Sequence, residues 1–331
     1  MEMRRLGTEL RVPALGLGCA AMSGTYGPAD DAESIATIRA AIDAGMTLLD
    51  TADFYGMGHN EMLIGRALGP GDRDRAVLSV KFGGLRGPDG DFRGIDARPV
   101  AARNFLAYSL RRLGTDYVDI YRPARLDPAV PIEDTIGAIA ELVTAGHVRG
   151  IGLSEVGPET IRRAHAVHPI TDLQIEYSLF SRGIEDGILA TCRELGIGIT
   201  AYGVLAQGLL TGAWQPTAGG AGGRAHLPRF GDGNVEANLA LVAELQKIAA
   251  GLGVTIAQLA IAWVLAQGRE HGDIVALVGA RRPQRIAEAL PAAGLELTGQ
   301  DLATIERVIP RGAAAGDRYA PALLAMLDSE R

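Results

Sequence analysis

Asp50, Tyr55 and Lys81 stand at or just past the ends of two consecutive expected strands, within Leu-Leu-Asp-Thr-Ala-Asp-Phe-Tyr-Gly and Leu-Ser-Val-Lys-Phe-Gly. A phenol ionises near pH 10, and a neighbouring ammonium favours the phenolate, so Lys81 beside Tyr55 would lower that value. A carboxylate from Asp50 would keep the lysine charged and in place, giving a proton donor tuned towards working pH. The ordinary alternative is that Asp50 caps a loop, Tyr55 packs and Lys81 is a solvated strand end.

Such a trio needs a scaffold that holds strand ends together. Short aliphatic runs alternate with longer amphipathic stretches, the pattern of repeated βα units. Eight strands are expected over Ala14–Gly18, Thr47–Asp50, Val77–Lys81, Tyr117–Tyr121, Val148–Leu153, Asp172–Ile175, Gly198–Tyr202 and Ile274–Val278. Helices over Asp31–Ala44, Pro99–Leu113 and Pro131–Ala145 are each followed by glycine, and two of them begin on proline. No strand is followed by G-x-G-x-x-G, which disfavours the doubly wound dinucleotide fold. The expected fold is therefore α/β, a (β/α)8 TIM barrel forming one domain over residues 1–331, with reactive groups at the C-terminal ends of its strands. Met3–Leu6 and Leu10–Val12 read as an N-terminal hairpin covering the bottom, and Tyr319–Leu327 as an extra C-terminal helix. Leu205–Asn234 is long and glycine-rich, as functional lids are, with Ala218–Gly223 the part closest to a plain disordered insertion.

Composition sets the class. The chain has 331 residues, 47% hydrophobic and 21% charged, as globular proteins do. Its net charge of −7 argues against nucleic acid or an anionic membrane surface as partner. Cys19 and Cys192 have no metal-ligand spacing, so free thiols and no metal site are expected. Glu9, Arg11 and Pro13 interrupt the apolar stretch that an export signal would need, and no run is long enough to span a membrane, so a cytoplasmic location is expected.

Several motifs carry a resemblance that extends along nearly the whole chain. They are Leu-Gly-Leu-Gly-Cys ending at Cys19, the Asp50 and Lys81 segments, and Arg-Arg-Leu-Gly-Thr-Asp-Tyr-Val-Asp ending at Asp119. Val-Arg-Gly-Ile-Gly-Leu-Ser ending at Ser154, Leu-Gln-Ile-Glu-Tyr-Ser ending at Ser178 and Gly-Leu-Leu-Thr-Gly ending at Gly212 continue the series. In order and spacing the chain resembles the aldo-keto reductases. The resemblance implies a barrel binding NADPH/NADP+ and reducing a small-molecule carbonyl compound, with Tyr55 as acid and Asp50 and Lys81 supporting it. It implies that Tyr202 stacks on the nicotinamide, that Ser154 and Gln174 bind its carboxamide, and that Gly203, Leu205, Gln207, Gly208 and Leu210 line the cofactor path. Gly279, Arg281 and Arg285, where the last strand opens into a helix, would take the 2′-phosphate.

The departures are as informative. Members of the family usually have a histidine on the fourth strand to orient the carbonyl, and alignment on Asp119 and Asp127-Pro128 puts Ala124 there. Losing one oriented donor typically costs about 10² to 10³ in rate. Arg122 or Arg125 is the expected substitute donor, either one favouring an anionic substrate, with a salt bridge to an acid such as Asp127 as the plain alternative. Tyr26 and His59, in loops after the first two strands, complete the expected substrate contacts. Glu155 stands where asparagine is usual, near the carboxamide, and Ala289 where asparagine often meets adenine. Ala124 also leaves open a weakly catalytic NADP(H)-binding regulatory subunit, or reduction of an activated C=C or C=N bond. Oligomeric state is not legible.

Overall fold

The computed structural model describes residues 1–215, 224, 226–231 and 233–330. Strands β1 (Met3–Leu6) and β2 (Leu10–Pro13) pair antiparallel. They are followed by β3 (Leu15–Gly18), β4 (Leu48–Ala52) and β5 (Val77–Phe82), a second hairpin β6 (Gly84–Arg86) and β7 (Phe92–Ile95), then β8 (Val118–Pro123) and β9 (Val148–Ser154). The last three are β10 (Ile170–Glu176), β11 (Gly198–Tyr202) and β12 (Ile274–Gly279). Strands β3, β4, β5 and β8 to β12 close in chain order into an eight-stranded parallel barrel, with Ala276 beside Leu15 and Gly279 beside Gly18 at the seam. The expected (β/α)8 barrel is thus the fold.

Helices cover the outside because their apolar faces must be buried against the strands. The helix Asp31–Asp43 starts where the Asp30 side chain accepts from Glu33 N at 2.8 Å, and Pro99–Leu113 stops at Gly114, whose φ of +69° suits glycine. Between β11 and β12 the chain makes two long helices, Asn234–Gly251 and Ile256–Gln267, the second buried over most of its length. Among the described residues no single helix is long and apolar enough to cross a membrane.

Inside the barrel the bottom is apolar. Leu6 and Val12 of the first hairpin are buried with Leu48, Ile120, Val275 and Leu277, so the hairpin covers the bottom as expected. Its approach depends on Gly198, since a Cβ there would lie 2.4 Å from the Leu6 side chain and 2.9 Å from the Arg5 carbonyl.

Other connections differ from the sequence reading. The β6–β7 hairpin was not expected, although Gly-Pro-Asp-Gly at 87–90 is a turn signal. In the 205–234 stretch, Ala206–Thr211 and Pro228–Phe230 are short 3-10 turns, and Leu227 and Phe230 are buried in the main core. These described parts pack against the barrel; the suggested insertion at Ala218–Gly223 lies outside the described residues. The C-terminal helix is only Pro321–Leu324.

Candidate active site

Parallel register brings the first three candidates together. Ala52 of β4 lies beside Lys81 of β5, and Asp50 beside Ser79. The alternation of a strand then points Asp50, Ser79 and Lys81 into the barrel near its C-terminal rim. Lys81 Nζ is 2.5 Å from Asp50 Oδ1, with both side chains 5% exposed. The other carboxylate oxygen accepts from Ser79 Oγ at 2.9 Å and Gln174 Nε2 at 2.6 Å. Tyr55 follows in the turn after β4, its ring 5.0 Å from the ammonium and edge-on to Phe54. Its hydroxyl makes no hydrogen bond to the described residues.

The electrostatics differ from the simple expectation that Lys81 lowers the pKa of Tyr55. Burial pushes the phenol up and Asp50 adds to that, while the positive charges of Arg125 and Arg122 oppose. Burial pushes the Lys81 ammonium down, with Asp50 working against it. In this environment Tyr55 is a protonated phenol throughout the neutral range, able to donate a proton but not already poised to lose one.

Arg122 does not line the cavity at the barrel mouth. It is fully buried on β8, below the rim, where Nη2 lies 3.0 Å from Asp172 Oδ2 and donates to Ser79 Oγ at 2.9 Å. The predicted alternative of a salt bridge holds, but with Asp172 of β10 and not Asp127, whose carboxylate accepts from Ala97 N and Ala129 N. Gly152 makes room, because a Cβ there would lie 2.6 Å from Asp172 Oδ1 and 2.7 Å from Arg122 Nε. Ser79 links this pair to Asp50, so a polar layer lies between the apolar bottom and the rim.

Above the layer opens a cavity of about 590 Å³, within the range of ligand sites. Asp50, Tyr55, Lys81, Gln174, Tyr202, Gly203 and Gly279 line it, as do Tyr26, Ala124 and Arg125. Ala124 presents a methyl group, so that position has no side-chain donor. Arg125 Nη1 donates to Ala124 O at 2.6 Å and Ser154 Oγ at 3.3 Å. His59, the first residue of the helix His59–Ala67, does not line the cavity: its ring bonds Ser23 Oγ and Asp31 Oδ1, each at 3.0 Å. His226 does line it.

The remaining expected cofactor residues are dispersed. Ser154 lies behind Arg125. Gln207 and Gly208 are in the turn after β11 with φ of +51° and +105°, and the buried Gln207 Oε1 has no partner among the described residues. The Leu210 side chain is packed in the core, so it offers nothing to the cavity, and Leu205 is partly buried against that core. Gly279 ends β12 with open space where a Cβ would be. Arg281 donates to Pro28 O at 2.8 Å and Arg285 to Glu288 at 2.5 Å, both near the surface.

A tail over Arg311–Arg331 covering the pocket mouth or docking on the barrel is open from the sequence; what fastens it there was missed. Glu155 has a φ of +54° and a fully buried side chain. It accepts from Arg318 Nη1 at 2.8 Å and Nη2 at 2.6 Å, from the Tyr202 hydroxyl at 2.7 Å, and from Ser329 Oγ and Glu176 N. Although burial opposes ionisation, Arg318, Arg125 and Tyr202 together hold this carboxyl down at about 2. The C-terminal segment is thereby held across the barrel, and Tyr319, Leu323, Met326 and Leu327 line the cavity. Their spacing of four, three and one residues was the available signal.

Comparison with known proteins gives a consistent result. The sequence model described as Aldo/keto reductase family matches residues 14–310. The chain is 39% identical over 319 residues to a protein named probable aldo-keto reductase 1 from Glycine max, covering 95% of this chain and 91% of that one. It superimposes on the glycerol dehydrogenase of Gluconobacter oxydans with a TM-score of 0.84 at 30% identity, covering 96% and 98% of the two chains. An aldo/keto reductase from Klebsiella pneumoniae, solved with NADP and acetate, gives a TM-score of 0.74 at 29% identity, covering 96% and 98%.

Proposed function

The chain belongs to the aldo/keto reductase family, and on that premise we propose that it uses NADPH to reduce an aldehyde or ketone to an alcohol, with Tyr55 as the proton donor. The observation that carries this reading is the buried Asp50–Lys81 pair beside Tyr55, which lines the cavity and whose hydroxyl has no hydrogen-bond partner among the described residues. The residues fit the cofactor. Glycines at 18, 203 and 279 leave the cavity wall without side chains, Gln207 Oε1 is an acceptor with no donor among the described residues, and Arg281 and Arg285 stand beside the β12 exit. Tyr202 and Gln174 would hold the nicotinamide end, and the arginines the phosphate end.

When bound, NADPH supplies the hydride for the carbonyl carbon. Tyr55 gives its hydroxyl proton to the carbonyl oxygen. As negative charge grows on that oxygen, the neighbouring Lys81, Arg122 and Arg125 favour it, and a low-dielectric cavity makes their effect larger than in water. Asp50, fixed by Ser79 and Gln174, keeps Lys81 in place. Because Tyr55 is a weak acid at rest, the proton moves as the oxygen becomes basic and not before it.

The test is NADPH oxidation against aldehydes and ketones, with Tyr55→Phe measured alongside. Turnover lost in the variant supports the reading; turnover that survives it unchanged removes Tyr55 from the chemistry. One observation favours a second reading: the cavity has a methyl group at Ala124 where the carbonyl would need a donor. Tight NADPH binding with no turnover of any carbonyl would move the assignment to a regulatory NADP(H)-binding protein or to reduction of an activated C=C or C=N bond.

A further inference from the structure

Among the described residues, the buried basic side chains at and just below the rim have carboxylate partners, whereas the partly buried Arg125, like Arg224 over Tyr26, has none. Lys81 has Asp50 at 2.5 Å, Arg122 has Asp172 at 3.0 Å, Arg318 has Glu155 at 2.6 Å and Arg229 has Glu176 at 3.5 Å. Arg125 makes no ion pair among the described residues. Its two hydrogen bonds, both from Nη1, go to the neutral Ala124 carbonyl and Ser154 hydroxyl. Nε and Nη2 have no partner among the described residues, yet the side chain lines the cavity and is partly buried. Glu155, the carboxylate that acts on it electrostatically, is committed to Arg318. A guanidinium taken partly out of water with its fork unfilled is costly unless something fills it.

Its position is specific. Arg125 follows Ala124, the residue at the place without a donor, and its charge acts on Tyr55. A group bound to its free donors would lie within a few atoms of a carbonyl presented to that phenol.

We propose that Arg125 selects carbonyl compounds bearing an anionic oxygen group, a carboxylate or a phosphate, a few atoms from the carbonyl, and that holding this group orients the carbonyl in place of the absent side-chain donor at Ala124. The proposal rests on the carbonyl-reductase reading and narrows its substrate class.

Two measurements test it. The first is calorimetric binding of benzoate and of inorganic phosphate to the NADP+-loaded protein, with benzamide as the neutral control, in wild type, Arg125→Met and Arg125→Lys, thermal melts confirming that each variant is folded. Hydrogen bonds to charged groups of this kind predict a loss of about 10- to 100-fold in anion affinity for Arg125→Met, with partial recovery in Arg125→Lys. The second is kcat/KM for matched pairs: benzaldehyde against 3-carboxybenzaldehyde, and glyceraldehyde against glyceraldehyde 3-phosphate. Wild type prefers the charged member of at least one pair, which tells carboxylate from phosphate, and Arg125→Met loses that preference mainly through KM. Equal anion binding by wild type and Arg125→Met overturns the proposal, as does a charged-substrate preference that persists in the variant. A variant that loses NADPH affinity while keeping its anion preference assigns Arg125 to the cofactor's phosphates and also overturns it. If neutral and charged carbonyls are all inert while benzoate binding depends on Arg125, the reductase reading fails and the anion site stands.

Discussion

The two ends of the barrel are closed by opposite chemistries. At the bottom, Leu6 and Val12 of the first hairpin meet Leu48, Ile120, Val275 and Leu277, with no charged side chain in the cluster. At the top, the C-terminal segment is held by Arg318 on Glu155, with Glu330 and Ser329 joining the network. An apolar plug is non-directional and indifferent to pH, so it suits a closure that only needs to be stable. A buried ion pair contributes little net stability over apolar packing, but it fixes geometry, which a cavity wall requires. The bottom is thus built for stability, and the top for position.

The largest effect that would sharpen this contrast belongs to the top. Tyr55→Phe is expected to lower kcat by about 10² to 10⁴ with little change in melting temperature; an equal loss of stability would show that Tyr55 is structural. Between the two ends lies the Arg122–Asp172 pair. Arg122→Met leaves a buried carboxylate unpaired and should destabilise by about 3–5 kcal/mol, whereas Arg122→Met with Asp172→Leu should recover much of that loss. Denaturant titration reads both, and a double variant no better than the single would contradict the pairing. At the bottom, Leu6→Ala is expected to cost about 2–5 kcal/mol while leaving kcat per folded molecule unchanged.

The smallest effect is in the dependence on acid. The Glu155 carboxyl is held at about 2, below its ordinary 4.5. A depressed carboxyl contributes stability above its unfolded value, and that contribution, on the order of 3 kcal/mol, is lost as pH falls from about 4.5 towards 2. Glu155→Gln should flatten this part of the curve when urea unfolding is compared at pH 6 and pH 3. Leu6→Ala should shift the curve without changing its shape; if both variants respond alike, the two closures do not differ as described.

Much of this was legible in the residues. The eight strands, the bottom hairpin and the placing of Asp50, Tyr55 and Lys81 at strand ends follow from short-range periodicity and turn residues, and the structure places them as expected. The β6–β7 hairpin was missed because its strands are only three and four residues long, too short for alternation to register. His59 was misread because nothing near it in sequence reveals Ser23 and Asp31, which occupy both of its ring nitrogens. Arg122 and Arg125, three residues apart, looked equivalent, yet one faces the barrel interior and the other the cavity.

The sequence by itself determined the order of elements, the closed barrel they imply and the chemical types available at the rim. These depend on patterns a few residues long. The tertiary structure decided which charge meets which: Arg318 with Glu155 across 163 positions, Gln174 with Asp50 across 124, and Arg122 with Asp172 between strands that are not neighbours in the barrel. Ion pairs and hydrogen bonds reach only a few ångströms. Their partners are therefore chosen by how distant segments are brought together in space, and so is the placing of Arg125 at the cavity with no carboxylate partner among the described residues.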